Sequence, residues 1–437
     1  MPTQRDATGA LCLGGVDLTT VARDPALGTP TYVYDVGAIA LEARSIREAF
    51  EGTAHLVAYA VKANSAGPIL RALVAEGCGA DVVSGAELML AMACGVVPDR
   101  IVYSGVAKTD DELDRAIAAG PRGIGAIQLE SVEEIARVAS RAAGKAARVS
   151  IRVNPAIDFA TMGTHAHIAT GHDEAKFGIA LEDIPAALAA LRSAKHLDLV
   201  GFAVHVGSQA SQSGAYAGAA RTLFRLVTEV RAEHAPHLAF VDTGGGFAVD
   251  YGDGPCAAPA DIVRATRIEQ RAARLDDLAL YVEPGRSLVA AHGVLVSRVL
   301  QWKASPFAQK VPVRRWLMID AGMNDLLRPA LYQARHRVVP LASAPSDEVD
   351  PFGTVPWRVV GPVCESSDDF GTHGLPGSAP QFVALLDAGA YGYTMASSYN
   401  GRPLAAEVFV ADGRVLASRS RRPIEDWVRD RASLGEP

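Results

Sequence analysis

The sequence predicts an α/β protein in two parts: a (β/α)8 barrel followed by a mostly β C-terminal domain that the N-terminal segment joins. Three observations carry that expectation. From residue 55 to about 283, eight short apolar runs alternate with helical patterns, the number and size that a (β/α)8 barrel requires. Beyond about residue 290 the helical periodicity gives way to β-like runs broken by Gly, Pro and Asp. The length, 437 residues, calls for at least two domains. An open, doubly wound sheet is the alternative arrangement of the same alternation.

Taken in order, residues 1–40 form an N-terminal segment whose extended "TPTYVYD" (29–35) suits a strand of the second domain. The barrel is expected over 41–290, with strands at 55–63, 79–84, 100–105, 123–129, 148–154, 199–207, 238–243 and 278–283. Between them, "TDDELDRAIAAG" (109–120) and "SVEEIARVASRAAG" (131–144) each open with a capping residue followed three positions later by Glu. That spacing is the signature of a capping box, and both stretches end in a glycine stop. The connection 155–178 is long for a barrel loop, and long loops are often functional. The β domain is expected over 291–437, where "GVLVSRVLQWKA", "RRWLMIDAG", "WRVVGPVCES", "QFVALLDAGAYG" and "AAEVFVADGRVLAS" read as strands, with "ADGR" as a hairpin turn.

Composition narrows the function classes. Hydrophobic residues at 49% and charged residues at 21% fit a globular protein with a sizeable core. The net charge is −7, from 42 basic and 49 acidic residues, which leaves no basic excess for nucleic acid or an anionic membrane. The densest basic cluster, "RSRR" (419–422), is short. Cys12, Cys78, Cys94, Cys256 and Cys364 form neither a CxxC pair nor a metal-ligand spacing, so reduced thiols and a cytoplasmic protein are expected. "MPTQRDATGALCLGG" lacks a long apolar core, and no segment reads as a membrane span.

In a (β/α)8 barrel the working groups sit at the C-terminal strand ends. Here those ends read Lys62 in "AYAVKANS", Asp81, Ser84 and Glu87 in "DVVSGAE", then "RVNP", His205 in "HVGSQ", Gly244–Gly246 in "DTGGGF", and Glu283–Arg286 in "EPGR". Singly each has a plain structural explanation: a solvated lysine, a core histidine, a flexible turn, a capped loop. Together they meet one demand. Glycines at a strand–helix junction let backbone N–H groups approach a phosphate. A lysine can form a Schiff base. A carboxylate can keep a pyridine nitrogen protonated, and an imidazole can cover a ring face. Pyridoxal phosphate needs all of these.

The motifs "AYAVKAN", "HVGSQ", "DTGGGF" and "EPGRSLVA" resemble the fold-type III, alanine-racemase-like group of pyridoxal-phosphate enzymes. "DAGMNDLLRPALY" (320–332), "VVGPVCESSDDF" (359–370) and "AGAYGYTMASSYNGRP" (388–403) resemble, within it, the diaminopimelate decarboxylase family. The resemblance runs in order from "GTPTYVYD" to "SSYNGRP". It implies that Lys62 is the Schiff-base lysine, that His205 stacks on the ring and that Glu283 pairs with the pyridine nitrogen. Asp81 belongs to the same cofactor set. Ser208, Gly244, Gly245, Gly246, Gly285 and Arg286 would hold the phosphate, with the Tyr391 hydroxyl. Arg286, Arg328, Tyr332, Glu365 and Tyr391 would contact the substrate, and Cys364 would be the general acid. The resemblance also implies a homodimer in which Cys364 and Glu365 reach the partner's site. Two departures bear on the substrate: "GGGFAVDY" has Phe-Ala where the family more often has Leu-Gly, and "DFATMGTHAHIATGHDEAKFGI" is longer than usual.

A carboxylate at the ring nitrogen favours loss of CO2, whereas racemases of this fold resemble an arginine solution. Arg286 and Arg328 suit a distal carboxylate, and Glu365 suits a distal ammonium. The expected reaction is therefore meso-diaminopimelate to L-lysine and CO2, the last step of lysine biosynthesis. The alternatives are decarboxylation of ornithine, arginine or a carrier-bound glutamyl group, or a non-catalytic regulatory protein that binds the same cofactor. The partners expected are a small amino-acid substrate and a second copy of the chain, with no metal, nucleic acid or membrane.

Overall fold

Eight parallel strands close on themselves between His55 and Val282 in a computed structural model that describes residues 3–155, 176–205, 207–233, 237–252, 254–305, 314–342 and 353–433. They are β1 (His55–Ala60), β2 (Gly79–Val82), β3 (Ile101–Tyr103), β4 (Ala126–Leu129), β5 (Ala147–Asn154), β6 (Leu197–Val204), β7 (Phe240–Asp242) and β8 (Ala279–Val282). The ring closes where Leu280 of β8 pairs with His55 of β1, and where β5 pairs with both β4 and β6. A closed ring leaves no sheet edge to protect, and the open-sheet alternative falls away. Within the barrel unit, Leu56, Ala58 and Val102 pack with Tyr281, and Ala126, Val200 and Phe240 form a second cluster. The Phe240 and Tyr281 rings stack with centroids 4.2 Å apart. Truncating Phe240 to Ala would cost about 3–5 kcal/mol.

All eight expected strands are present, most of them shortened at one or both ends, and one shortening matters. The first run was read as strand through Lys62, but the strand stops at Ala60 and Val61–Ala63 is a 3-10 turn. The helices at Asp110–Ala118 and Val132–Ala142 begin after Thr109 and Ser131, as their caps predict. Thr109 and Glu112 make the full reciprocal capping box. Ser131 makes half of one: its Oγ accepts from the Glu134 N–H, but the Glu134 carboxylate accepts instead from the Glu130 N–H and from Lys108. At β2, Ser84 and Glu87 turn out to cap the helix Gly85–Ala93, Ser84 accepting from the Glu87 N–H and Glu87 from the Val83 N–H. Most of the long connection at 155–178, residues 156–175, lies outside the described residues.

The chain divides into two units, Ala40–Asp250 with Pro255–Leu288, and Met1–Ile39 with Tyr251–Gly254 and Val289–Pro437. The second unit holds a mostly antiparallel sheet. Thr31–Asp35 lies between Gly293–Ser305 and Ala406–Ala411, so "TPTYVYD" does join this sheet. Its apolar residues supply the core: Val33 packs with Val294, Val296, Ala384, Val408 and Val410. The hairpin Ala406–Ala411 to Arg414–Arg419 turns on Asp412 and Gly413, both at positive φ, as the "ADGR" turn requires.

Candidate active site

The turn after β1 presents Lys62, whose Nζ lies 2.6 Å from Asp81 Oδ2. Asp81 is fully buried, while the lysine side chain keeps 37% of its exposure. A buried carboxylate without a cation would be costly, so the pair holds the ammonium at the barrel's end. Asp81 Oδ1 is buried with no hydrogen-bond partner, an acceptor left over for a further donor. The Ala60 N–H donates to Pro284 O at 3.1 Å, which ties the end of β1 to the residue after Glu283.

His205 follows β6 directly, and its Nδ1 accepts from the Gly245 N–H at 3.1 Å. The neutral ring therefore carries its proton on Nε2. Burial, reinforced by the charges of Arg152 and Lys62, pushes the imidazole well below its ordinary pKa, so it is a flat, uncharged surface.

The glycine triplet after β7 is dictated by close backbone approach. A Cβ on Gly245 would lie 2.1 Å from Glu283 O, and one on Gly246, whose φ is +88°, would lie 1.9 Å from Gly207 O. The triplet is pinned by the Gly244 N–H donating to Asp242 Oδ1 and by Gly244 O accepting from the Glu283 N–H, each at 2.8 Å. Beside it, Arg286 Nη2 donates to Ser208 Oγ at 3.1 Å. Small, free of side chains and flanked by the Arg286 guanidinium and the Ser208 hydroxyl, this cradle fits a phosphate.

Glu283, at the end of β8, is buried and takes a hydrogen bond on Oε1 from Gln128 Nε2 at 3.0 Å, with Ser104 Oγ at 3.5 Å. Burial, with the neighbouring carboxyls of Asp242 and Asp81, raises its pKa well above the usual carboxylate range. Burial likewise raises Asp242. Such a site holds a proton and suits a basic ring nitrogen as its partner. Arg152, in the "RVNP" run of β5, is held by Glu130, whose Oε1 it reaches at 2.9 Å. The barrel thus brings together Lys62, Asp81, His205, Ser208, Gly244–Gly246, Glu283, Gly285 and Arg286 at the C-terminal ends of its strands.

The other expected residues lie in the second unit. Arg328 opens the short helix Arg328–Tyr332 and is 6% exposed. Its Nη1 lies 2.9 Å from His336 Nε2, and its guanidinium sits 4.6 Å from the Tyr251 ring centroid. His336 Nδ1 donates to Leu386 O, which leaves Nε2 to accept from the arginine. Tyr332 closes the same helix and is partly exposed. Tyr391 follows Phe382–Leu385 at a φ of +57°. Cys364 is exposed, its N–H donating to Asn400 Oδ1 at 3.2 Å, and Glu365 accepts from Tyr399 OH at 2.7 Å. Buried Asp368 shapes this turn, accepting from the N–H groups of Val363 and Met323 at 2.6 Å each.

Sequence reasoning did not single out Gln128, Ser104, Asp242, Asn400 and Tyr399. Asp242 and the Tyr399–Asn400 pair fall inside quoted motifs. The signal for Gln128 is an amide in the apolar strand "AIQL".

A lysine on a buried carboxylate, a glycine phosphate cradle and a buried acid at the strand ends of one barrel define the class: a pyridoxal-phosphate enzyme of (β/α)8 architecture. Residues 36–290 match the family model "Pyridoxal-dependent decarboxylase, pyridoxal binding domain". The chain is 40% identical to the diaminopimelate decarboxylase of Zymomonas mobilis, over 97% of this chain and 96% of that one. The crystal structure of diaminopimelate decarboxylase from Helicobacter pylori complexed with L-lysine superposes with a TM-score of 0.84 at 34% identity, covering 96% of this chain and 100% of that one. The M. jannaschii diaminopimelate decarboxylase in co-complex with L-lysine gives 0.86 at 31% identity, covering 98% and 97%. This chain belongs to the diaminopimelate decarboxylase family.

Proposed function

We propose that this chain uses pyridoxal phosphate to convert meso-diaminopimelate to L-lysine and CO2, the last step of lysine biosynthesis. The observation that carries the reading is the convergence of Lys62 on buried Asp81, the Gly244–Gly246 cradle and buried Glu283 at one end of one barrel. The substrate assignment draws on relatives matched along nearly the whole chain, two of them crystallised with L-lysine, the expected product.

When bound, the cofactor supplies a conjugated ring that accepts the electron pair left behind as CO2 departs. The rest falls to this chain. Asp81 would hold Lys62 Nζ at the end of β1, where the lysine would meet the cofactor's aldehyde. Ser208, Gly244, Gly245, Gly246, Gly285 and Arg286 would hold the phosphate, a set to which the family resemblance adds the Tyr391 hydroxyl. His205 covers the ring with an uncharged face. Glu283 would face the ring nitrogen and share a proton with it. Arg286, Arg328, Tyr332, Glu365 and Tyr391 bind the substrate's distal groups. Cys364 returns a proton to the carbon that lost CO2.

The family resemblance further supports a cytoplasmic homodimer in which Cys364 and Glu365 serve the partner's site. No helix among the described residues is long and apolar enough to cross a membrane. The test is direct: purified protein with pyridoxal phosphate is given meso-diaminopimelate, and lysine and CO2 are quantified. Equimolar lysine and CO2 is the expected result. Turnover of ornithine or arginine with none of meso-diaminopimelate would overturn the substrate assignment.

A further inference from the structure

Gln128 is an amide inside an apolar strand of the barrel, 2% exposed. Its backbone carbonyl accepts from Lys108 Nζ at 2.6 Å. Lys108 is itself buried and bonds Glu134 Oε1 at 3.0 Å, so the peptide at residue 128 is fixed from behind. The side chain spends its N–H on one group, Glu283 Oε1, at 3.0 Å.

We propose that Gln128 is a positioning residue: it holds Glu283 by Oε1 and thereby decides which oxygen carries the proton and how basic the carboxylate is. The proposal rests on reading Glu283 as the group that faces the ring nitrogen. An amide N–H can only donate, so the oxygen it meets must accept. When Glu283 is neutral, its proton is therefore on Oε2. When Glu283 is ionised, the same N–H stabilises the negative charge and lowers the carboxylate's basicity. The first effect fixes where the proton sits, and the second favours a proton on the ring nitrogen over one retained by Glu283. Ser104 Oγ, 3.5 Å from Oε1, adds a weaker donor to the same oxygen. Asp242 and Asp81 act in the opposite sense, because their negative charge makes Glu283 keep its proton. Lys62 and Arg152 oppose those carboxyls. Gln128 and Ser104 are the neutral donors in this set, and Gln128 is the nearer.

The test uses Gln128→Met, which keeps the length and removes the donor, and Gln128→Glu, which donates only when protonated. Each holoenzyme is reconstituted with cofactor labelled with 15N in its ring, and the ring-nitrogen signal and the pH profile of kcat are measured. Gln128→Met should move the signal toward the unprotonated ring and lower kcat about 10- to 100-fold, the range a hydrogen bond to a charged group supports, with KM unchanged. Burial beside Glu283 raises the introduced carboxyl's pKa, so Gln128→Glu should still donate near neutral pH and show the defect as pH rises. A ring-nitrogen signal and kcat like those of the wild type in Gln128→Met would overturn the proposal. Should that variant fail to fold, a Gln128→Glu profile with no loss as pH rises would do the same. Glu283→Gln separates the two readings. If it leaves the signal unmoved, the assignment of Glu283 is wrong; if it moves the signal while Gln128→Met does not, only the role of Gln128 is wrong.

Discussion

Gly246→Ala probes the phosphate cradle with a single methyl group. The new Cβ would sit 1.9 Å from Gly207 O, against the 3.4 Å of an ordinary contact. Either the triplet or the Gly207–Ser208 backbone must therefore give by about 1.5 Å, the difference between those two distances. The φ of +88° adds strain for any residue with a side chain. A displacement of that size takes an N–H···O bond of about 2.9 Å beyond hydrogen-bonding range. Losing one bond to a charged phosphate forfeits about 1.5–3 kcal/mol, or roughly 10- to 100-fold in affinity. The assay compares binding of pyridoxal phosphate and of pyridoxal, which lacks the phosphate, by absorbance titration of the apoprotein. The variant should lose that factor for pyridoxal phosphate and little for pyridoxal, while circular dichroism shows a folded barrel. An unchanged ratio of the two affinities would refute the cradle, because the damage would then lie elsewhere.

Two further outcomes follow from the same geometry. Glu283→Gln should still bind cofactor but turn over about 10²–10⁴ times more slowly, the usual worth of a positioned acid or base; turnover like that of the wild type would mean another residue faces the ring nitrogen. If the proposed homodimer shares its sites, Lys62→Ala and Cys364→Ala should each be inactive alone yet regain activity when mixed under conditions of subunit exchange, since a two-fold heterodimer would then contain one intact site in two. Exchange demonstrated by mass without recovered activity would place Cys364 in its own chain's site.

Much of this was legible in the sequence, for physical reasons that differ by residue. Barrel strands buried on both faces stand out as apolar runs, and their ends are punctuated by the residues that leave the sheet: Lys62, His205, Gly244–Gly246 and Glu283. Thr109 and Glu112 are local in sequence, so their capping box could be read directly. Ser131 has the same spacing, but Glu134 is drawn away by Lys108, 26 positions back in the chain. Local pattern could not anticipate that competition. The same limit hid Gln128, whose partner Glu283 lies 155 positions further on and meets it only through the closed ring. Ser84 and Glu87 show the converse: polar residues at a strand end that serve the next helix. Arg328 is expected from the sequence to suit a distal carboxylate, and the fold buries it against His336 and Tyr251, partners that lie too far along the chain for local pattern to show.

On the proposed function, the turn after β1 delivers one lysine, Lys62, to the cofactor's aldehyde. Borohydride reduction of the holoenzyme, followed by proteolysis and mass mapping of the adduct, tests it without relying on turnover. The reduced pyridoxyl group should be found on Lys62 and be absent from Lys62→Ala. A stoichiometric adduct on any other lysine of the wild-type chain would contradict the assignment of the site.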